Sequence, residues 1–358
     1  MFLRESINFK MTVNFKAQTG LLQPYSKSDN KPDIQMQNLQ RIDSSNSHSK
    51  TDTYNPTTKT SKDSSHKELG KNILIGVATV PIVLSGGYLG AIRTAERKFF
   101  VDSAKNSKKY FKPIIDELKN KITKVDIKTV DKLNLKCWDI NPQNSQKYVL
   151  VCHGNGQNLN DCQELYNSLH KKGYGVFALE YRGYADNPGS VYENGFYKDA
   201  DAALEYLKKK GIKEEKIGVV GYSLGGAVAT ELSSRKNLAF TILTSTFNNA
   251  KELSKNGVNY LDLKLSDRTK KFIDNFPESL IPIKNSYRSD RKISKIKNPI
   301  VFIHSQDDKG IPISLAKKLS GKATNASFLE FITLNSGDHW LDKDKIKAIS
   351  DALDKFHL

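Results

Sequence analysis

The segment KIGVVGYSLGGA, residues 216–227, limits the possible folds of this chain more than any other feature. An apolar run typical of a buried strand ends just before Ser223, and a helical pattern begins at Leu224, so the serine stands on a sharp strand-to-helix turn. Gly221 and Gly225 provide the small neighbours that such a turn needs, and the first N–H groups of the helix favour negative charge near the serine. The pattern predicts a nucleophilic serine, because a helix N-cap serine alone would leave both glycines unexplained.

Short apolar runs alternate with amphipathic segments from about residue 123 to the C-terminus. The segments KVDIKTV and LNLKCWDI predict a leading hairpin, because apolar residues alternate with polar ones on both sides of an Asp-Lys turn. Later strands are predicted at YVLVCHG, YGVFALEY, KIGVVGYS, LAFTILTST, PIVFIHS and SFLEFITL, and helices over residues 159–172, about 197–210, from 224, near 314–319 and from about 344. This succession predicts an α/β fold with a mostly parallel, doubly wound sheet.

Ligands of such sheets bind beyond the carboxyl ends of the strands, and two more of these ends have residues suited to catalysis. In CHGNGQN, residues 152–158, the glycines allow a sharp turn, and we expect the backbone N–H groups of Asn155 and Leu224 to form an oxyanion hole. A plain glycine turn is the alternative. His153 is expected to shape this loop, whereas His339, which follows the last predicted strand in NSGDHWLD, is the predicted general base.

The segment PIVFIHSQDDKGIP, residues 299–312, ends a predicted strand with two adjacent carboxylates, Asp307 and Asp308. Both suit ordinary turn chemistry, but one of them is also placed to orient the imidazole of His339. Serine, then aspartate, then histidine is the chain order of triads whose nucleophile stands on a strand-to-helix turn. The residues alone leave the choice between the two aspartates open.

Together, these motifs resemble those of the α/β-hydrolase superfamily, in particular small membrane-anchored serine hydrolases, the esterase- and thioesterase-like α/β-hydrolase domain-containing proteins. The resemblance extends from about residue 124 to the C-terminus and rests on CHGNGQN, LEYRGYADNPGSVYENGFYKDADAALEYL, VVGYSLGGA, ISKIKNPIVFIHSQDDKGIP and GDHW. In that family the acidic residue stands four residues before a proline, in the pattern D-x-x-[IV]-P. Asp308 fits this pattern, with Pro312 after it, which leaves Asp307 to the turn.

The resemblance implies acyl transfer to water by a triad of Ser223, Asp308 and His339, without a metal ion or an organic cofactor. It implies carboxylic esters or thioesters as substrates, in acylated lipids, acylated proteins or small molecules, and an acyl-enzyme intermediate. Two alternatives stay open: a serine peptidase of the same fold, and a non-catalytic scaffold of the same fold. All three triad positions are filled, which argues against the scaffold.

The chain before the predicted catalytic domain differs sharply in composition. Residues 1–71 are rich in Ser, Thr, Asn, Gln and Lys and predict a disordered polar tail. Residues 72–93 predict a transmembrane helix, since about 20 apolar residues span a bilayer; a buried hairpin or helix of the soluble domain is the alternative. Residues 94–122 are predicted to form a basic juxtamembrane helix or linker. Residues 123–358 are predicted to form the α/β-hydrolase domain, with a lid insertion at about 247–291.

The net charge of +17 comes from lysines scattered along the chain without a nucleic-acid-binding motif, so no nucleic-acid partner is expected. Basic residues are more numerous after the predicted span than before it, which predicts a single-pass membrane protein with its catalytic domain on the cytoplasmic side. The lid insertion is predicted to be a solvent-exposed helical segment. Alternatively, it gates the pocket or binds anionic headgroups through Lys264, Arg268, Lys270 and Lys271. The sequence leaves the oligomeric state open.

Overall fold

The structure is a computed structural model that describes residues 96, 102–108, 112–141, 144–260, 275, 281 and 283–356. The predicted tail at 1–71, the predicted transmembrane helix at 72–93 and the four basic side chains named for the lid lie outside the described residues, and these interpretations stay predictions. Within the described ranges, no helix is both long enough and apolar enough to cross a membrane.

In the described part of the chain, one sheet of eight strands forms the centre of the fold. Its strands are β1 (Ile122–Lys128), β2 (Asn134–Ile140), β3 (Tyr148–Cys152), β4 (Gly175–Leu179), β5 (Ile217–Tyr222), β6 (Thr241–Thr244), β7 (Ile300–Ser305) and β8 (Leu329–Leu334). Their order across the sheet is β1-β2-β4-β3-β5-β6-β7-β8. β1 pairs antiparallel with β2, and β2 with β4, while every other pairing is parallel, which confirms the predicted hairpin and the mostly parallel sheet.

Helices cover both faces of the sheet. Within the described residues they are α1 (Ser103–Ser107), α2 (Gln163–Lys171), α3 (Glu193–Lys209), α4 (Leu224–Ser233), α5 (Ala250–Tyr260), α6 (Ile313–Ser320) and α7 (Lys343–Leu353). Apolar side chains of α3, α4 and α6 share a core with Leu150 and Cys152 of β3, whereas those of α2 and α7 share a core with Val149 and Val151. Because alternate residues of a strand face opposite sides, one layer of helices lies on each face.

Two helices differ from their predicted form at the N-terminal end. α3 begins at Glu193, four residues earlier than predicted, because the N–H of Glu193 donates to Oδ1 of Asn285 (2.8 Å), which is 92 residues away. The first N–H groups of a helix lack intrahelical acceptors, so this long-range contact lets α3 start earlier. The helix predicted over 159–172 is divided into a 3₁₀ turn, Leu159–Cys162, which is capped by Asn158, and α2.

Candidate active site

Ser223 lies between β5 and α4 in a backbone conformation that few residues other than glycine adopt, with φ of 54° and ψ of −117°. Its two glycine neighbours make this turn possible. A Cβ atom at Gly221 would collide with the carbonyl oxygen of Gly225, and a Cβ atom at Gly225 would collide with the carbonyl oxygen of Cys152 on β3. The turn therefore holds the hydroxyl of Ser223 at the carboxyl end of β5.

The imidazole of His339 lies between Ser223 and Asp308. Its Nε2 is 3.0 Å from Oγ of Ser223, and its Nδ1 is 3.1 and 3.0 Å from the two carboxylate oxygens of Asp308. An ionised carboxylate accepts hydrogen bonds and cannot donate, so it favours the tautomer with the proton on Nδ1. Nε2 is then an acceptor for the hydroxyl proton of Ser223, which is the arrangement that a general base requires.

Asp308 is buried and accepts hydrogen bonds from more than the imidazole of His339. The N–H of Ile311 donates to its Oδ1 (2.7 Å), and Nε2 of His304 lies 3.2 Å from its Oδ2. Burial alone would raise the pKa of Asp308, but the hydrogen bonds from His304 and His339 outweigh burial and hold this pKa well below its usual range. Asp308 is therefore ionised at neutral pH and can stabilise a protonated His339.

The neighbouring carboxylate, Asp307, lies in a different environment. It is exposed, and its Oδ1 accepts a hydrogen bond from the N–H of Asp338 (3.0 Å). This contact joins the turn after β7 to the loop that contains His339. The structure thus brings Asp308, and not the residue before it, into contact with the imidazole.

The two predicted oxyanion donors lie at the same end of the sheet as the serine. Cys152 of β3 pairs with Gly221 of the adjacent strand β5. Asn155 and Leu224 each stand three residues beyond these partners, so both follow the carboxyl ends of neighbouring parallel strands. The side chain of Asn155 accepts a hydrogen bond from the hydroxyl of Tyr184 (2.6 Å), which ties its loop to the loop after β4.

His153, at the start of the same loop, is fully buried. Its Nδ1 lies 2.8 Å from the carbonyl oxygen of Gly154, and its Nε2 lies 2.9 Å from Oε1 of Glu180. The other oxygen of Glu180 accepts a hydrogen bond from the N–H of Leu159 (3.1 Å). These contacts fit a residue that shapes the loop, since both ring nitrogens are engaged within the protein core.

Two residues that the motifs did not single out also contact the loop of His339. The hydroxyl of Tyr222 donates to the carbonyl oxygen of His339 (2.6 Å). Lys345 of α7 is fully buried and donates from Nζ to the carbonyl oxygens of Gly337 (3.1 Å) and Asp338 (2.8 Å), and burial lowers the pKa of this lysine. Tyr222 could have been noticed beside the serine, but nothing local marks Lys345, because helical lysines usually face solvent.

The three cysteines offer a weaker nucleophile than the serine. All three are buried and have free thiols. Burial raises the pKa of Cys152 and Cys162 to about 12, so these thiols are protonated at neutral pH, and the thiolate is the reactive form. Among the residues that the structure describes, no cluster of three or more His, Cys, Asp or Glu side chains is arranged to hold a metal ion.

Comparisons with known proteins agree with this architecture. A family model described as the alpha/beta hydrolase fold matches residues 147–277. The chain is 31% identical over 202 residues to an uncharacterized protein of Mycobacterium tuberculosis, covering 56% of this chain and 66% of that protein. It is 32% identical over 209 residues to the lysophosphatidylserine lipase ABHD12 of Danio rerio, covering 54% of this chain and 53% of the lipase. The match thus spans about half the length of the lipase.

Solved structures show the same fold at low sequence identity. An esterase from Pyrococcus furiosus is 21% identical, with a TM-score of 0.54 over 66% of this chain and 90% of the esterase. An alpha-beta hydrolase from Vibrio vulnificus is 17% identical, with a TM-score of 0.58 over 74% of this chain and 93% of that chain. The fold and the turn at Ser223 are those of α/β hydrolases. With the family match, they show that the chain belongs to the α/β-hydrolase superfamily.

Proposed function

We propose that this protein is a serine hydrolase that cleaves carboxylic ester or thioester bonds through an acyl-enzyme intermediate. The observation that most directly supports this function is the hydrogen-bonded path from Ser223 through His339 to Asp308, with 3.0 Å at each step. Within such distances a base can take a hydroxyl proton. Membership of the α/β-hydrolase superfamily and the similarity to a lysophosphatidylserine lipase add support for ester bonds.

In the proposed reaction, Nε2 of His339 takes the hydroxyl proton of Ser223 as Oγ attacks the carbonyl carbon of the substrate. The backbone N–H groups of Asn155 and Leu224 stabilise the negative charge that develops on the carbonyl oxygen. The protonated imidazole, paired with ionised Asp308, then gives its proton to the leaving alkoxide or thiolate. Water, activated by the same imidazole, attacks the acyl-enzyme, releases the carboxylic acid and regenerates the serine.

The proposed substrates are acylated lipids or acylated proteins near a membrane. The similarity to a lipase supports this class, and so does Trp340, which follows His339 and is 72% exposed, because an exposed aromatic side chain beside the base suits an apolar group. In this proposal residues 72–93 anchor the chain, residues 94–122 lead to the catalytic domain at 123–358, and this domain faces the cytoplasm.

A fluorophosphonate probe applied to the full-length protein tests the nucleophile. We expect the probe to label the wild type but not Ser223→Ala, and turnover of a p-nitrophenyl acyl ester to fall about 10⁶-fold in that variant. Ser320→Ala is the matched control, because this buried serine on α6 donates to the carbonyl oxygen of Lys317 (2.9 Å), away from the imidazole. A folded wild type that neither reacts with the probe nor turns over esters would favour the scaffold alternative.

The bond that is cleaved requires a separate comparison. Rates on p-nitrophenyl esters, acyl thioesters and N-acyl peptides, each over a series of chain lengths, separate an esterase or thioesterase from a peptidase. We expect esters or thioesters to react faster than peptides at equal acyl length. Faster peptide cleavage would replace the proposed activity with that of a peptidase.

A further inference from the structure

Helix α1 precedes the sheet in the chain but packs against the loops around the candidate site. Ala104 and Ser107 are each 1% exposed, although the helix has only 5 residues. Ala104 belongs to the same apolar core as Tyr184 and Leu224. The sequence predicted a basic juxtamembrane helix or linker here, so the burial of these two side chains indicates that this part of the segment is built into the catalytic fold.

Ser107 connects α1 to two of these loops. Its carbonyl oxygen accepts a hydrogen bond from Nδ2 of Asn158 (2.8 Å), and its hydroxyl accepts one from the N–H of Ala185 (3.1 Å). The same hydroxyl donates to the carbonyl oxygen of Ala104 (2.6 Å), which orients it on its own helix. Asn158 follows β3 and Ala185 follows β4, so one buried serine joins two loops at the carboxyl edge of the sheet.

The loop after β3 that Ser107 contacts is the one that contains Asn155, the proposed oxyanion donor. Asn158, three residues later, is fully buried. Gly156, between them, has φ of 78°, and a Cβ atom there would lie 3.5 Å from Cβ of Ser103 on α1. Residues 103–107 therefore hydrogen-bond to this loop at Asn158 and leave little room beside it at Gly156, which restricts where the backbone of Asn155 can move.

A second part of the same N-terminal segment contacts the end of the lid insertion. The carboxylate of Glu96 accepts hydrogen bonds from the N–H groups of Lys284 (3.2 Å) and Asn285 (2.7 Å). Oδ1 of Asn285 in turn accepts the first N–H of α3. The described residues before the sheet thus interact with the catalytic fold at separate places, as a docked segment does and an independent linker does not.

We propose that α1 is a positioning element of the oxyanion hole, in which Ser107 holds the N–H of Asn155 in place through Asn158 and Ala185. This proposal rests on the serine hydrolase function proposed above. Backbone N–H groups stabilise an oxyanion only if they are held where the charge develops, and a misplacement of about 1 Å costs on the order of 10²-fold in rate. Because the bound substrate lacks this charge, which develops only on the way to the tetrahedral intermediate, a loosened loop lowers kcat and leaves KM nearly unchanged.

Asn158→Asp in the full-length chain tests this link. The aspartate keeps an oxygen for the N–H of Asn160 (2.8 Å) but places a carboxylate oxygen where Nδ2 donated to Ser107. We expect kcat on a p-nitrophenyl acyl ester to fall on the order of 10-fold to 10²-fold, with KM within about twofold of the wild type. Asn325→Asp is the matched control, since Nδ2 of Asn325 also donates to a serine carbonyl, that of Ser294 (2.7 Å), but on an exposed surface.

Ser107→Ala and Ser107→Thr provide an independent test. Alanine removes the acceptor for the N–H of Ala185, and threonine restores a hydroxyl, so we expect kcat to fall in the first variant and to recover in the second. Each kcat is expressed per active site, counted by fluorophosphonate labelling of Ser223 carried to completion. This count removes the contribution of unfolded protein.

The positioning role would be supported if Asn158→Asp and Ser107→Ala were labelled completely but more slowly than the wild type, and if kcat per labelled site were lowered in both. A kcat per labelled site equal to that of the wild type in both variants would overturn it, even if fewer sites were labelled, because the contact would then serve stability alone. A folded wild type that the probe does not label would overturn the proposed function itself, so the two failures are distinguishable.

Discussion

Two adjacent residues of the same type, Asp307 and Asp308, differ in the properties that an orienting acid requires. Asp308 is 6% exposed and contacts His339, His304 and the N–H of Ile311, whereas Asp307 is exposed and accepts a hydrogen bond from the backbone. A buried, ionised carboxylate can fix the imidazole tautomer and stabilise its positive charge. The exposed neighbour holds the turn against the loop of His339 instead.

Asp308→Asn should lower kcat by about 10⁴-fold, because an amide at this position favours the wrong tautomer of His339. Asp307→Asn is the matched control, since its amide oxygen can still accept the N–H of Asp338. We expect this second variant to keep most of its activity. Steady-state kinetics of both purified variants on one acyl ester give the comparison, and the reverse ranking would assign the orienting role to Asp307.

Gly310, in the same segment, lies against the imidazole of His339. A Cβ atom at Gly310 would be 2.7 Å from Cγ of His339, which is too close for two carbon atoms. Gly310→Ala should therefore displace the ring and lower kcat on the order of 10²-fold. In the control, Gly321→Ala, the nearest atom to the new Cβ is the carbonyl oxygen of Lys317, at 3.6 Å. Equal kcat values in the two variants would contradict this explanation.

At the level of secondary-structure elements, a buried arginine joins the β1–β2 hairpin to the rest of the sheet. Arg182, in the loop after β4, pairs with Asp131 of the hairpin turn (2.7 Å) and with Asp199 of α3 (2.8 Å). The hydrogen bond from Arg182 holds the pKa of Asp131 well below its usual value of 3.8. The hairpin turn, the loop after β4 and α3 thus meet at one guanidinium group. This group is planar and has several N–H donors, so it can bind the carboxylates of Asp131 and Asp199 at the same time.

A carboxyl pKa that is lowered by folding stabilises the fold above the usual pKa, and this stabilisation is lost as the pH falls through the folded-state pKa. Asp131→Asn should therefore lower Tm at neutral pH by roughly 2–4 °C. The loss is limited because Arg182 keeps Asp199 as a partner. Below about pH 4 the wild type should lose Tm more steeply than the variant. Calorimetry across this pH range measures how steeply Tm falls with pH in the wild type and in Asp131→Asn. Asp126→Asn, on the exposed face of β1, is the control. An equal loss of Tm per pH unit in the wild type and in Asp131→Asn would contradict the attribution of this pH dependence to Asp131.

At the level of the whole molecule, membrane anchoring is the prediction that concerns residues outside the described ranges. Ile82→Arg combined with Leu84→Arg should release the full-length chain from membranes, because an arginine near the bilayer centre costs about 2.5–3.5 kcal/mol. Ser44→Arg combined with Ser47→Arg adds the same charge in the predicted polar tail and should leave anchoring unchanged. Carbonate extraction measures both, and retention of the first variant would show that residues 72–93 are not the anchor.

Local patterns in the sequence were sufficient to predict the strand cores, the hairpin and the turn at Ser223. Apolar periodicity reports which side of an element is buried, and the glycines around the serine reflect close contacts such as that of Gly225 with Cys152. The order of a serine, an aspartate and a histidine along the chain also indicated which strand ends lie together, because the carboxyl ends of parallel strands meet at one edge. The choice of Asp308 over Asp307 came from the resemblance to α/β hydrolases.

Other features depend on contacts between distant residues, which leave no local pattern. The start of α3 requires Asn285, 92 residues away, and the hydroxyl of Tyr222 reaches the carbonyl oxygen of His339, 117 residues away. The burial of Ser107 likewise requires Asn158, 51 residues away. A polar residue of this kind has the same appearance in the sequence whether it faces water or a partner. Packing of the elements brings its partner within hydrogen-bonding distance, and that packing is a property of the assembled fold.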